Sequence, residues 1–361
     1  MLEIFDDSST FLDVLKKADR LTRRNHNFVT LERAILLSWW CDKRDCKFCY
    51  MSTQKNINSS KAKRKPWSIL AEAELIDRIG WDVEFLSSGY GAYSFGEIGE
   101  LAQMVAHVTK RPQWLNVGVL NKKELQFGDE VKGIVGSVET ISKIRKQICP
   151  SKPLGPIKKM LKEVKEAGLE TGITIILGLG EGVKDIPALM DFIGELNIDR
   201  ITYYSLNPHD GTAMEAAPPP ASIYQAGVIA LTRLEFPKIQ IIGGTWIDQL
   251  PNIGLMLLAG ANGITKYPVF TMFGNRHGKK VEEEVKFTNR RLLGTFTDMG
   301  VLKGKKALEK ERDPKFVFGY RRPEISEGAM EKLERFEDRK REMVESYIGE
   351  VEKVSSPRGW I

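Results

Sequence analysis

The sequence predicts a closed α/β barrel of eight parallel strands, and three observations predict it. Apolar, strand-like runs start near Ala34, Val83, Trp114, Gly133, Thr171, Arg200, Ile239 and Gly263. Segments with helical periodicity lie between most of them. The chain has 361 residues, 42% of them hydrophobic, enough for one large domain with its own core. Repeated βα units imply a parallel sheet, and about eight of them imply a TIM-type (βα)8 barrel. Ligands then gather at the carboxyl ends of the strands.

The elements follow in order. Residues 1–28 form an N-terminal segment with a leading helix over 9–21. After the first strand, a helix is predicted over 68–79, with Ser68 as its N-cap. Further helices are predicted over 95–108, 156–167, 186–196 and 221–236, while the connection 121–131 is short and weakly helical. The barrel domain spans 29–300. From 301 to 361 the chain is rich in Lys, Glu and Arg, with a helical stretch over 327–345. This part reads as a charged helical appendage that covers a barrel end or joins a homodimer.

The net charge of +6 is mild. The run Lys61-Ala-Lys-Arg-Lys65 has no aromatic or motif context for nucleic acid, so no nucleic-acid partner is expected. No apolar run is long enough to cross a bilayer, and no membrane association is expected. With no signal-peptide pattern, a cytoplasmic protein with reduced thiols is expected.

Three of the four cysteines, Cys41, Cys46 and Cys49, fall within nine residues, directly after the apolar run 34–40. Three thiolates on a loop leaving a buried strand can hold three irons of a 4Fe–4S cluster, leaving the fourth iron open to a small molecule. A structural zinc site is the competing reading. It needs four ligands, and the fourth would be Cys149 or one of four scattered histidines. Cys149 falls in a loop before the 156–167 helix, apart from the other three in sequence.

This layout resembles that of the radical S-adenosylmethionine (radical SAM) enzymes. Their usual spacing is C-x3-C-x2-C; this chain has C-x4-C-x2-C. The resemblance implies a 4Fe–4S cluster on Cys41, Cys46 and Cys49, with S-adenosylmethionine on the open iron. It sets Phe48 near the adenine. Ser88, Gly89, Tyr90 and Gly91 stand where the family carries a Gly-Gly-Glu-like segment for the methionine amino group, but the Glu is missing. Glu139, followed by Thr140, matches an acidic position suited to the methionine ammonium or a ribose hydroxyl. A plain salt bridge is the alternative for that carboxylate. The segment 172–181, with Gly178 and Glu181, resembles the G-x-I-x-G-x-x-E stretch that packs by the adenine. The loop 205–212 and the stretch 259–264 resemble loops of biotin synthase and its relatives. Tyr90, Tyr203 and His209 are candidate substrate contacts on the active face.

Together these motifs cover roughly residues 29–300 and point to the biotin synthase–HydE–methylornithine synthase branch. Biotin synthase itself is disfavoured. It holds a second cluster on three further cysteines and an arginine, and this chain has only Cys149 left and no arginine in the run 239–245. The expanded cysteine gap and the stretches 38–41 and 71–91 most resemble the HmdB (HcgA) proteins. These belong to biosynthesis of the iron-guanylylpyridinol cofactor of Fe-only hydrogenase. HmdB proteins more often have five residues in the gap. The resemblance implies reductive cleavage of S-adenosylmethionine to a 5′-deoxyadenosyl radical, which abstracts hydrogen from a small substrate. A ferredoxin- or flavodoxin-type donor would supply the electron. The alternatives are a carbon-skeleton isomerase like methylornithine synthase, or a non-enzymatic iron–sulfur scaffold or electron carrier.

Overall fold

The computed structural model describes residues 2–54, 58–305 and 323–355. In chain order the main elements are α1 (Ser8–Asn25), β1 (Phe28–Leu36), α2 (Pro66–Arg78), β2 (Asp82–Ser87), α3 (Phe95–Thr109), β3 (Gln113–Asn116) and β4 (Val131–Glu139). They continue as α4 (Leu154–Glu166), β5 (Glu170–Leu177), α5 (Ile186–Glu195), β6 (Arg200–Ser205), α6 (Ser222–Glu235), β7 (Gln240–Gly244) and α7 (Asn252–Leu258). The last are β8 (Gly263–Thr265), α8 (Arg276–Phe287), β9 (Arg291–Leu293) and α9 (Glu327–Ser355). Strands β1 to β8 pair in parallel in chain order, and β1 pairs with both β2 and β8, which closes the barrel. The eight strands are those read from the sequence, although β1 already begins at Phe28 rather than near Ala34; helices α7 and α8 were not read from it, and the architecture is the TIM-type α/β barrel. A single 3₁₀ turn, Lys122–Leu125, links β3 to β4.

Two local details depart from the sequence reading. Helix α2 begins at Pro66 with Lys65 as its N-cap. Proline at the first helical position needs no N–H there and fixes φ, so it outcompetes Ser68 for the start. Ser68 Oγ instead accepts from Arg64 Nη2 at 2.8 Å and lies 3.0 Å from the Tyr347 hydroxyl. A ninth strand, β9, pairs Arg291–Leu293 with Phe28–Thr30 below the β1–β2 contact. Three residues carry too little periodicity to announce a strand. The side chain of Arg290, beside it, bonds the carbonyls of Ala261 and Leu257 and the Asp19 carboxylate, each at 2.7 Å, and so ties α1 to the barrel floor.

Helix α9 lies along the barrel's flank, not over an end. Lys340 Nζ reaches Glu74 of α2 at 2.9 Å, and Lys332 Nζ reaches Glu100 of α3 at 2.5 Å. Tyr347 stacks on Phe270 at 4.3 Å. The stretch 306–322 of the appendage read from the sequence lies outside the described residues. No helix among the described residues is long and apolar enough to cross a membrane.

The barrel interior is unusually polar at its floor. Glu32 of β1 accepts from Thr30 Oγ1 at 3.0 Å and Gln240 Nε2 at 3.1 Å, and it pairs with Arg200 of β6 across the barrel. The Arg200 guanidinium also packs 5.1 Å from the Trp114 ring centroid. Both members of the ion pair are buried. A bulge in β2 aims the next layer. Arg33 faces Val83 while Ile35 faces Leu86, so Glu84 and Phe85 share one step of β1. The extra residue breaks the alternation and turns both side chains inward. Glu84 accepts from Thr265 Oγ1 at 2.6 Å, from Thr202 Oγ1 at 3.2 Å and from the Tyr204 hydroxyl. Phe85 packs with Trp114, Val135 and Tyr204.

Removing one partner of a buried ion pair strands the other without compensation. Glu32→Ala is therefore expected to lower the unfolding free energy by about 3–5 kcal/mol, measured by urea denaturation followed by circular dichroism. Loss of well under 1 kcal/mol would show that Arg200 has another partner.

Candidate active site at the barrel mouth

The cysteine loop leaves β1 at the carboxyl end of the barrel and is held there by backbone contacts from two other loops. Asp42 N donates to Tyr90 O at 2.9 Å, and Lys47 N donates to Ile148 O at 2.9 Å. The Asp45 carboxylate accepts from Ser151 N at 2.9 Å. Cys41 and Cys46 are buried and Cys49 half-buried. Cys46 and Cys49 pack with Phe48, Leu179 and Leu206.

Cys149 belongs to this cluster too. It is buried among the same residues, in one packed cluster with Cys46. The sequence separation that set it apart is undone because the 145–152 turn folds over the cysteine loop. The Cys46 thiol is pushed up by the adjoining Cys149 and by burial, and burial pushes the Cys49 thiol up to about 11.

The glycines of the β2 loop have a spatial reason. A Cβ on Gly89 would sit 2.3 Å from Trp40 O and 2.4 Å from Cys41 Cβ. Gly91, at φ +68°, would collide with the Asp42 carboxylate if it carried a Cβ. Only a bare backbone lets this loop lie against the cysteine loop. Ser88 is buried beside them, its N–H on Asn116 O at 3.1 Å. The Tyr90 ring covers Gly118, with Lys43 and Lys152 Nζ 5.8 and 5.9 Å from its centroid. Burial raises the Tyr90 hydroxyl.

Strand β4 gains a residue between Ser137 and Glu139, and Glu139 ends it in the left-handed region at φ +64°. Such a conformation in a non-glycine residue is strained and marks a position held by its surroundings. Its Oε1 accepts from Lys152 Nζ at 2.8 Å, and both side chains are buried. Burial pulls Lys152 down, but Glu139, Cys46 and Tyr90 hold it above an ordinary lysine. The salt bridge read as the alternative for Glu139 is thus present, but it is buried at the mouth. At the end of β5, Gly178 at φ +100° packs against Pro220 and Leu206. Glu181 turns back, its Oε1 accepting from Gly178 N at 2.7 Å, and burial raises it.

Of the candidate substrate contacts, Tyr90 and His209 lie at the mouth and Tyr203 does not. Alternation along β6 turns Tyr203 outward, where its hydroxyl pairs with Thr232 Oγ1 of α6 at 2.6 Å in full burial. Its neighbour Tyr204 points inward onto Glu84. His209 stands between Tyr50 and Trp246, with ring centroids 6.1 and 6.3 Å away, and burial and then Lys266 lower its pKa.

Sequence reasoning missed four residues of this mouth: Glu84, Tyr204, Trp246 and Lys266. Lys266 Nζ lies 4.7 Å from the Tyr204 ring centroid and 5.7 Å from that of Trp246. Two signals could have found them. Glu84 is a carboxylate inside an otherwise apolar strand, and Lys266 directly follows β8, where barrels place ligand contacts.

The sequence signature of the radical SAM superfamily matches residues 35–193, which include the cysteine loop and the glycine loops of β2 and β5. Those residues carry a radical SAM domain. An uncharacterized protein of Methanocaldococcus jannaschii is 46% identical over 344 residues, 94% of each chain. A biotin synthase of Methanococcus vannielii is 31% identical over 183 residues, 49% of this chain and 55% of that one. The 3-methylornithine synthase of Methanosarcina acetivorans is 24% identical over 252 residues, 67% of this chain and 71% of that one. Among solved structures, methylornithine synthase (PylB) superposes with a TM-score of 0.67 at 18% identity, covering 82% of this chain and 93% of its own. The [FeFe]-hydrogenase maturase HydG superposes with 0.65 at 13%, covering 98% and 85%. These structural likenesses concern the fold.

Enzymes of this superfamily use a 4Fe–4S cluster and S-adenosylmethionine, and the residues here suit both. The donor set is three soft thiols from one loop, two of them buried and one half-buried, the ligand type iron–sulfur clusters take. A bound metal also deprotonates a thiol that burial otherwise keeps protonated. Among the described residues no three His, Cys, Asp or Glu side chains gather tightly enough for a single ion. The bare backbone of Gly89 lies against the cysteine loop, and that of Gly178 against Leu206 and Pro220, at the carboxyl ends of β2 and β5.

Gly89→Ala is expected to push the Trp40–Cys41 backbone away and cost about 1–3 kcal/mol of stability, as overpacking does. Urea unfolding measures the cost, and iron bound after anaerobic reconstitution should fall with it. Ser88→Ala, which keeps the backbone bond to Asn116 O, should change neither quantity.

Proposed function

We propose that the protein removes a hydrogen atom from a small substrate enclosed in the barrel mouth, in building the pyridinol part of the iron-guanylylpyridinol cofactor of Fe-only hydrogenase. The observation that carries the radical-enzyme reading is the convergence of the cysteine loop, the Ser88–Gly91 loop and Glu139 at one end of the barrel. The cofactor assignment rests on the expanded C-x4-C-x2-C spacing and on the likeness of residues 38–41 and 71–91 to HmdB. An electron carrier would need the thiols but not the glycine loops and Glu139 beside them, which disfavours the scaffold reading. Similarity to 3-methylornithine synthase over 67% of the chain keeps a carbon-skeleton isomerase as the second reading.

Each residue then has a task. Cys41, Cys46 and Cys49 hold three irons. When bound, the reduced cluster and S-adenosylmethionine supply the hydrogen-abstracting radical, and a ferredoxin- or flavodoxin-type protein supplies the electron. Gly89 and Gly91 bring backbone groups within reach of the methionine moiety, and Phe48 and the Gly178 turn flank the adenine. Glu181 closes that turn by accepting from Gly178 N, so its part is to shape the adenine pocket. Glu139 accepts from the methionine ammonium or a ribose hydroxyl, with Lys152 fixing its second oxygen. Tyr90 and His209 face the substrate. The barrel walls exclude water, which protects a reactive radical from side reactions. Deuterium transfer from labelled pyridinol precursors into 5′-deoxyadenosine tests the reading. Its absence with every such precursor, alongside efficient S-adenosylmethionine cleavage, would remove the hydrogenase-cofactor assignment.

Replacing Cys41, Cys46 or Cys49 by Ala is expected to abolish iron–sulfur absorbance and deoxyadenosine formation. Cys149→Ala should retain both, with about four irons per chain, the content of one cubane. Cluster loss in the Cys149 variant, with retention in a triplet variant, would move the ligand assignment.

Glu139→Gln is expected to weaken binding of a non-cleavable S-adenosylmethionine analogue by about 1.5–3 kcal/mol, the worth of one charge-assisted hydrogen bond. Gln is chosen over Ala because it still offers Lys152 an oxygen. Calorimetric titration of the reconstituted protein reads the change, and unchanged affinity would take Glu139 out of the cofactor site.

A further inference from the structure

Lys266 is the mouth residue whose environment the activity above leaves unexplained. It ends β8 in the left-handed region at φ +83°, a conformation a lysine adopts at a cost. Strain of this kind persists where the surroundings over-determine a side chain's position. Here the aromatic faces of Tyr204 and Trp246, 4.7 and 5.7 Å from Nζ, do so. An aromatic face orients an ammonium without neutralising it.

The charged groups that face Lys266 are committed elsewhere. Glu84 accepts from Thr202, Tyr204 and Thr265, so both of its oxygens are in use. Glu139 is paired with Lys152. Arg33 is paired with Glu72 and bonds Tyr267 O on the outer side of β1. Among the described residues, no carboxylate lies within ion-pair distance of Lys266 Nζ and no hydrogen bond uses its N–H groups. Burial lowers its pKa, and Glu84, Glu139 and Cys49 attract it only from a distance. An ammonium presents three donors and no acceptor, so a complementary partner is an oxyanion.

We propose that Lys266 receives an oxyanion group, a carboxylate or a phosphate, of the substrate in the barrel mouth, flanked by Trp246 and His209. The proposal rests on the substrate occupying the mouth, as in the reading above, but not on which cofactor is built. A substrate anchored at the end of β8 is held at the opposite wall from Glu139 of β4. One end is then fixed while the rest extends toward the cysteine loop, and orientation of this kind is a large part of what a barrel site supplies.

The test uses reconstituted holoenzyme with S-adenosylmethionine bound, at constant ionic strength. Acetate, glutarate and inorganic phosphate are titrated separately, and tryptophan emission is followed; Trp246→Phe identifies the reporter. The expected result is a saturable change with at least one probe. Lys266→Met should weaken that binding about tenfold or more, and Lys266→Arg should keep it within roughly threefold, as one charge-assisted hydrogen bond implies. Response to the carboxylates alone would identify a carboxylate substrate group, and response to phosphate alone a phosphate ester. Equal affinity in Lys266→Met, or no saturable response to any probe, overturns the proposal. Lys266→Gln serves if the methionine variant does not fold. Because the readout is binding, a holoenzyme that titrates normally but yields no deoxyadenosine would count against the radical reading and leave this one standing.

Discussion

A closed barrel can bury charge at its centre only if opposite strands supply the partners, and this constraint organises the molecule. Glu32 on β1 and Arg200 on β6 meet across the floor, with Thr30 and Gln240 completing the carboxylate's bonds. One step higher, Glu84 on β2 is satisfied by hydroxyls from β6 and β8. A one-residue slip of any of these strands would turn its side chain to the other face and leave a buried charge bare. The polar floor therefore fixes the register of β1, β2, β6 and β8, and with it the height at which each strand delivers its loop to the mouth.

The mouth is then built from departures from regularity. The bulge in β2 turns Glu84 and Phe85 inward together, and the extra residue in β4 presents Glu139 at a positive φ. The glycines of the β2 and β5 loops remove the atoms that would hold neighbouring loops apart. These features cost local stability, and the rigid barrel beneath them absorbs it. The result is a buried group of thiols at the mouth and a lysine held against two aromatic faces.

Much of this was legible in the residues. The eight strands stand out because each is rich in apolar residues and most are separated by helical segments, as strands buried on both faces tend to be. The cysteine loop and the glycine loops were visible because spacing and residue type carry their chemistry. Other features were not. Strand β9 is three residues long and draws its stability from pairing with β1. Tyr203 and Tyr204 are adjacent and chemically alike, and only the strand's facing decides that the second is the inward one. Cys149 lies about a hundred residues from Cys46 in the chain, and no local pattern predicts that they pack together.

By itself, then, the sequence determined the barrel, the order of its elements, and the thiol and glycine loops at its carboxyl face, because periodicity and motif spacing are local properties. The tertiary structure decided which residues meet. It paired Glu32 with Arg200, Glu139 with Lys152 and Cys46 with Cys149, and it set Lys266 between Tyr204 and Trp246. Closure of the sheet brings strands together from distant parts of the chain, and bulges shift which side chains point inward. Neither effect is written in any short stretch of residues.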